Sequence, residues 1–279
     1  MRQFNIVLAG LGALAAAALA ATTQSHAAGT GAADKMYVID CGWAHAADKS
    51  RWSPGIDVGV QVDVSDNCFL IHHPQGGWFM WDTGVAENIA DMPDGLSQQN
   101  GAVVWHKAKK LSAALAEIKV KPEDVKFVAI SHMHADHSSN VDMFPKATLL
   151  IQKPEWDAIF AGQNPPFTKE HPATQLTGDK DVFGDGSVTI VSTPGHTPGH
   201  QSLLVHLAKT GWLVLSGDAV HFQSNWDNKR VPGTNFDKDK TVASMNHLGE
   251  LIAAHKAQLW INHDKAQSDK LKHAPAFYE

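Results

Sequence analysis

The sequence predicts an α/β fold of one kind, an αββα sandwich in which two sheets pack face to face with helices outside. Three observations support this. Short apolar runs rich in β-branched residues come in two series, one in each half of the chain. Patterns of helical period lie between and after those runs. Loops carrying His and Asp fall at strand ends in both halves. Strands in runs, with helices between and after, suit two layers of sheet covered by helices.

The elements follow in order. Residues 1–27 stand outside the fold. Arg2 gives a positive start, residues 6–21 are apolar and Ala-rich, and Ser25-His26-Ala27 offers small residues at the recognition positions. That pattern is a secretory signal cleaved after Ala27. Residues 28–279 then form one large domain. Residues 36–42 read as the first strand and 43–60, with Trp43, Trp52 and Ser53-Pro54-Gly55, as a loop. Residues 62–73 and 77–81 read as a strand pair closed by Pro74-Gln75-Gly76. Asp82-Thr83-Gly84 ends that pair, and 85–105 read as irregular and polar.

Leu111, Leu115 and Ile118 share one face of a helix over 107–118. Residues 125–130 are a buried strand, and Ser138-Ser139-Asn140 reads as a helix start. A strand at 148–151 precedes a helix at 153–161 with Pro154 in its first turn, and 162–186 read as loop. The second half has strands at 187–192, 201–207 and 212–216 and a polar loop with Trp226 at 222–236. A long helix over 239–257 turns Val242, Met245, Leu248 and Ile252 inward, a last strand covers 259–262, and a polar tail follows.

Composition narrows the classes. The chain is globular, at 43% hydrophobic and 19% charged, with a net charge of −6. No basic stripe occurs, so nucleic acid is not an expected partner. Beyond the signal no stretch is long and apolar enough to span a bilayer. The expected product is exported, periplasmic or secreted, with no stable membrane insertion after cleavage. Cys41 and Cys68 are the only cysteines. An oxidising compartment permits a bridge, but both lie in strand-like runs, where a small buried thiol is the commoner state.

The chemistry concentrates in Ser131-His132-Met133-His134-Ala135-Asp136-His137, which follows the strand at 125–130. A strand end fixes the backbone, and a loop lets successive side chains converge as strand alternation would not. Neutral imidazoles with a carboxylate suit Zn²⁺ and similar divalent ions. His132 and His134 can take one ion, and Asp136 and His137 a second. Three further groups fall at strand ends: Pro194-Gly195-His196 with Pro198-Gly199-His200, then Gly217-Asp218, then His263-Asp264.

His-x-His-x-Asp-His, Pro-Gly-His, Gly-Asp and a late His-Asp, in that order, resemble the ligand set of the metallo-β-lactamase-fold hydrolases, over residues 36–264. The resemblance implies His132, His134 and His196 on one metal, Asp136, His137 and His263 on the other, and Asp218 bridging. His200 is then structural, and His72, His73, His106 and His221 are not ligands. It implies two divalent ions, zinc first, with iron, cobalt and manganese also compatible. A bridging carboxylate argues against antibiotic hydrolysis, and His134 in place of Glu argues against the flavodiiron branch.

Residues 38–42, 68–71, 81–84 and 196–203 look like the text of the N-acyl-homoserine lactonases. The departure is His221, where those enzymes often carry Tyr three residues after the bridging Asp. The likeness implies lactone opening by a water activated between the metals. Asp136 or Asp218 would carry a proton to the leaving ring oxygen, and His221 would support the carbonyl oxygen. Trp43, Trp52, Phe222 and Trp226 are the candidates for an acyl groove. The resemblance also implies a homodimer. A broad esterase, phosphotriesterase or thioesterase on the same metals is the alternative, and a non-catalytic zinc-binding protein the other.

Overall fold

The computed structural model describes Met1 and residues 31–279, so the signal expected over 1–27 lies almost wholly outside the described residues. The strands are β1 (Lys35–Ala46), β2 (Val62–His73), β3 (Gly77–Trp81), β4 (Leu96–Gln98), β5 (Val103–His106), β6 (Val125–Ala129), β7 (Thr148–Gln152), β8 (Ala173–Leu176), β9 (Lys180–Asp181), β10 (Val188–Ser192), β11 (Gln201–Leu207), β12 (Gly211–Leu215) and β13 (Gln258–Trp260). The α-helices are α1 (Leu111–Glu117), α2 (Ala135–Ser138), α3 (Lys153–Ala161), α4 (Gln223–Asn228), α5 (Lys238–His255) and α6 (Lys265–Ser268).

The strands form two sheets, one in the order β4-β5-β1-β2-β3-β6-β7-β8 and the other β13-β12-β11-β10-β9. Between them lies an apolar layer: Met36, Val38, Phe69, Ile71, Phe79 and Trp81 meet Val188, Ile190, Leu203, Val205, Leu213 and Leu215. The opposite face of the first sheet packs Ile39, Leu70, Met80 and Leu149 against Leu111, Leu115 and Ile159 of α1 and α3. Val191, Leu204 and Val214 of the second sheet pack under Leu248 of α5. This is the expected αββα order, and alternate residues of each strand serve the two layers. Among the described residues no helix is long and apolar enough to cross a membrane.

Several local readings change. β1 runs on to Ala46 because Trp43–Ala46 pair with both β2 and residues 103–106 of β5. The stretch read as irregular thus supplies β4 and β5. α1 starts at Leu111 rather than 107, because Lys107 is buried and donates to the carbonyls of Cys41 at 2.6 Å and Val85 at 3.2 Å. Ser138-Ser139-Asn140 closes a helical turn instead of opening one: α2 begins at Ala135, and the Ser139 hydroxyl donates back to the Ala135 carbonyl.

Residues 162–186 contribute the edge strands β8 and β9, and Trp226 sits on α4 rather than in a loop. The tail is docked, with Met36 and Tyr278 exchanging backbone hydrogen bonds at 2.9 and 2.8 Å. Cys41 and Cys68 are joined by a disulfide across β1 and β2, correcting the reading of two buried thiols. A bulge between Asp40 and Gly42 shifts the register of the two strands at Cys41.

Candidate metal centre

β6 ends at Ala129, and the loop it feeds meets loops from the second sheet at one end of the sandwich. Asp82, just past β3, fixes that loop. Its Oδ1 accepts the Ser131 N–H at 2.5 Å, and its Oδ2 lies 2.9 Å from His137 Nδ1. Other ring Nδ1 atoms are held from outside in the same way. His196 Nδ1 lies 3.0 Å from Asn235 Oδ1, and His263 Nδ1 donates to the Ser65 carbonyl at 2.8 Å. An imidazole whose Nδ1–H is spent on an oxygen keeps a lone pair on Nε2, and all three Nε2 atoms face inward.

The inward atoms fall into two groups. His132 Nε2 lies 2.8 Å from His134 Nδ1, and His196 Nε2 lies 3.1 Å from the same atom. On the other side His137 Nε2 and His263 Nε2 are 3.4 Å apart, with Asp136 Oδ2 at 3.7 and 3.5 Å from them. Asp218 stands between the groups. Its Oδ2 faces His132 at 3.6 Å and His196 at 3.3 Å, and its Oδ1 faces His137 at 3.3 Å and His263 at 3.0 Å. Ligand atoms of His132, His134, His196 and Asp218 lie within 4.8 Å of one another, as do those of Asp136, His137 and His263. All seven residues expected as ligands are therefore brought to one place.

The donor set fits two divalent cations. It consists of imidazole nitrogens and carboxylate oxygens, and Asp218 Oδ1, though buried, makes no hydrogen bond among the described residues. Burial works against ionising Asp218, but the surrounding imidazoles, His263 first, hold its carboxyl well below the ordinary range. Burial also opposes charge on His263, yet Asp218 and Asp136 raise it to about 9. A cation entering that side displaces a proton.

His200 turns away from the centre and buttresses it. Its Nδ1 donates to the Thr193 carbonyl at 3.0 Å, its Nε2 accepts the Asp218 N–H at 2.9 Å, and burial pushes its pKa down to about 3. Gly217 makes that approach possible. Its φ is +52°, and a Cβ there would lie 2.7 Å from Ser131 Cβ and 2.8 Å from His200 Nε2. His221 Nε2 sits 3.0 Å from Asp218 Oδ2 with its ring stacked on His263, so it belongs to the centre. Its ligand atom also groups with those of Asp218 and His263. His72 and His73 pair instead with Asp34 and Asp185, and His106 stacks on Trp43.

A cavity of about 850 Å³ opens over the centre, lined by His134, Asp136, His196, Asp218, His221 and His263 at its floor. Its apolar wall comes from Trp52, Val64, Val85, Ile89, Leu96 and Trp105. Of the four aromatics expected there, only Trp52 lines it. Phe222 is buried edge-on behind Trp52, Trp226 packs on α5, and Trp43 lies in a second cavity. The wall from residues 85–105 was missed because that stretch lacked a helix pattern. Val103-Val104-Trp105 was the one β-like signal in it.

A family model described as the metallo-beta-lactamase superfamily matches residues 62–254. The chain is 32% identical over 237 residues to the N-acyl homoserine lactonase AttM of Azorhizobium caulinodans, covering 79% of this chain and 90% of that protein. It is 34% identical over 236 residues to AttM of Rhizobium radiobacter, covering 79% and 89%. A solved N-acyl homoserine lactone hydrolase with the product N-hexanoyl-L-homoserine at its catalytic metal centre superposes with a TM-score of 0.77 at 24% identity, covering 88% of this chain and all of that one. At that identity the superposition establishes the shared fold.

Proposed function

Because the chain belongs to the metallo-β-lactamase superfamily and, within it, to the N-acyl homoserine lactonases, we propose that it is a dinuclear metal hydrolase that opens the lactone ring of N-acyl homoserine lactones and so quenches quorum signals. The observation that carries the reading is Asp218, whose two oxygens face two separate groups of imidazoles under an apolar cavity. His132, His134 and His196 would hold one cation and Asp136, His137 and His263 the other, with Asp218 shared. Zinc is the proposed metal. Bound there, a pair of divalent cations supplies Lewis acidity, polarising a carbonyl and making water acidic enough to attack at neutral pH.

The chain's own groups do the rest. The wall of Trp52, Val64, Ile89 and Trp105 takes the acyl tail and keeps water from the floor. Asp136 and Asp218 are the carboxylates placed to take the proton of the attacking water and return it to the ring oxygen as it leaves. His221, at the cavity floor beside Asp218, is the imidazole proposed to support the carbonyl oxygen as negative charge develops. Replacing His221 by Ala is expected to lower kcat about 100-fold with little change in KM, and His221→Tyr to restore part of that loss. Steady-state kinetics of both variants check it; rate constants equal to wild type in each would remove His221 from the mechanism.

A substrate panel on the zinc-loaded protein tests the function. N-acyl homoserine lactones should be turned over with the highest kcat/KM, rising with acyl length until the cavity is filled. Faster hydrolysis of aryl esters, paraoxon-type triesters or thioesters would replace the lactonase reading by that activity.

The proposal includes export to the periplasm. The charged and apolar pattern of residues 1–27 supports it, as does the Cys41–Cys68 bridge, since such bridges persist in oxidising compartments. Cell fractionation that finds the protein only in the cytoplasm would refute it. It also includes a homodimer, and Ile56, Val58 and Val60 are among the exposed apolar side chains that a partner could cover; sedimentation of a pure monomer at micromolar concentration would exclude this.

A further inference from the structure

Glu155, in the first turn of α3, is 1% exposed. Its carboxylate accepts three hydrogen bonds from two different loops. Oε1 accepts the Met133 N–H at 2.7 Å. Oε2 accepts the Thr197 hydroxyl at 2.8 Å and the Gly199 N–H at 2.8 Å. Met133 lies between His132 and His134, and Thr197 directly follows His196. One oxygen therefore holds the peptide between two imidazoles of the first group, and the other holds the residue beside the third.

These loops belong to different sheets: the first follows β6, and the second joins β10 to β11. The backbone leaves room for this contact, since a Cβ on Gly199 would lie 2.4 Å from the Glu155 nitrogen. The second group has its own carboxylate in Asp82, which holds Ser131 and His137. Burying a carboxylate with no cation in contact is costly, so three aimed donors at this one position call for a role.

We propose that Glu155 is the positioning residue of the first metal, setting the spacing of His132, His134 and His196 across the two sheets so that they meet an ion without rearrangement. This rests on the dimetal reading above. A glutamine cannot replace it, because its amide N–H₂ would meet a donor on one of the two loops and release that loop. A ligand set that must reorganise binds its ion more weakly, by ~10- to 100-fold for the loss of such a partner.

The test follows metal retention rather than turnover. Wild type, Glu155→Gln and Thr197→Val are loaded with zinc and titrated with a chelator, and the zinc remaining per subunit is measured. A cobalt-loaded sample reports ligand geometry through its visible spectrum. In Glu155→Gln one of the two ions should leave at ~10- to 100-fold lower chelator while the other leaves as in wild type. The cobalt bands of that one site should shift, and Thr197→Val should move the same ion by less. Release of both ions as in wild type from a folded Glu155→Gln overturns the proposal, and so does equal weakening of both. Should the glutamine variant not fold, Thr197→Val decides by the same criterion. Wild type holding fewer than two ions overturns the dimetal reading and this proposal with it.

Discussion

Asp218→Ala is expected to lower lactone turnover by about 10³-fold or more, a loss of ~4 kcal/mol of transition-state stabilisation. The size follows from its position. One side chain faces two groups of imidazoles, with Oδ2 toward His132 and His196 and Oδ1 toward His137 and His263. Removing it deletes an anionic oxygen from both halves of a buried site at once and lets two like charges approach without a shared counter-charge. The backbone should survive, because His200 holds the Asp218 N–H rather than its carboxylate. The check is kcat/KM with zinc in excess, alongside metal content and circular dichroism. Undiminished turnover in a folded variant would show that the shared carboxylate takes no part.

Removing the disulfide should have the largest effect on stability. The Cys41–Cys68 bridge closes a loop of sequence separation 27 between two core strands. Loop-closure entropy puts such a bridge at ~3 kcal/mol. For a chain of this size that corresponds to a fall in Tm of about 6–12 °C. Cys41→Ser with Cys68→Ser, followed by thermal denaturation, measures it. A double variant melting within about 2 °C of wild type would show that the native pairing adds little beyond what β1 and β2 already provide.

Much of the fold was legible because it depends on local pattern. β2, β3, β11 and α3 fall where apolar alternation, turn residues and Pro154 put them. Elements whose existence depends on distant partners were not legible. β5 is a strand because it pairs with the end of β1, about sixty residues away in sequence, and α1 loses its first turn because Lys107 is drawn into the core. The cysteines read as free because their pairing depends on how β1 and β2 lie side by side, which no local rule announces.

The site divides in the same way. The identity and order of His132, His134, Asp136, His137, His196, Asp218 and His263 stand in the sequence, since metal donors are few residue types at fixed strand ends. The groups that aim them are ordinary residues with no motif of their own. Glu155, Asn235 and the Ser65 carbonyl become significant only once the two sheets are stacked. The acyl wall likewise draws on Trp52, Val64 and Trp105 from three segments that meet only in space. By itself the sequence determined which atoms carry the chemistry. Tertiary structure decided their spacing and the shape of the cavity above them, because hydrogen-bond geometry and packing depend on distances that chain order does not contain.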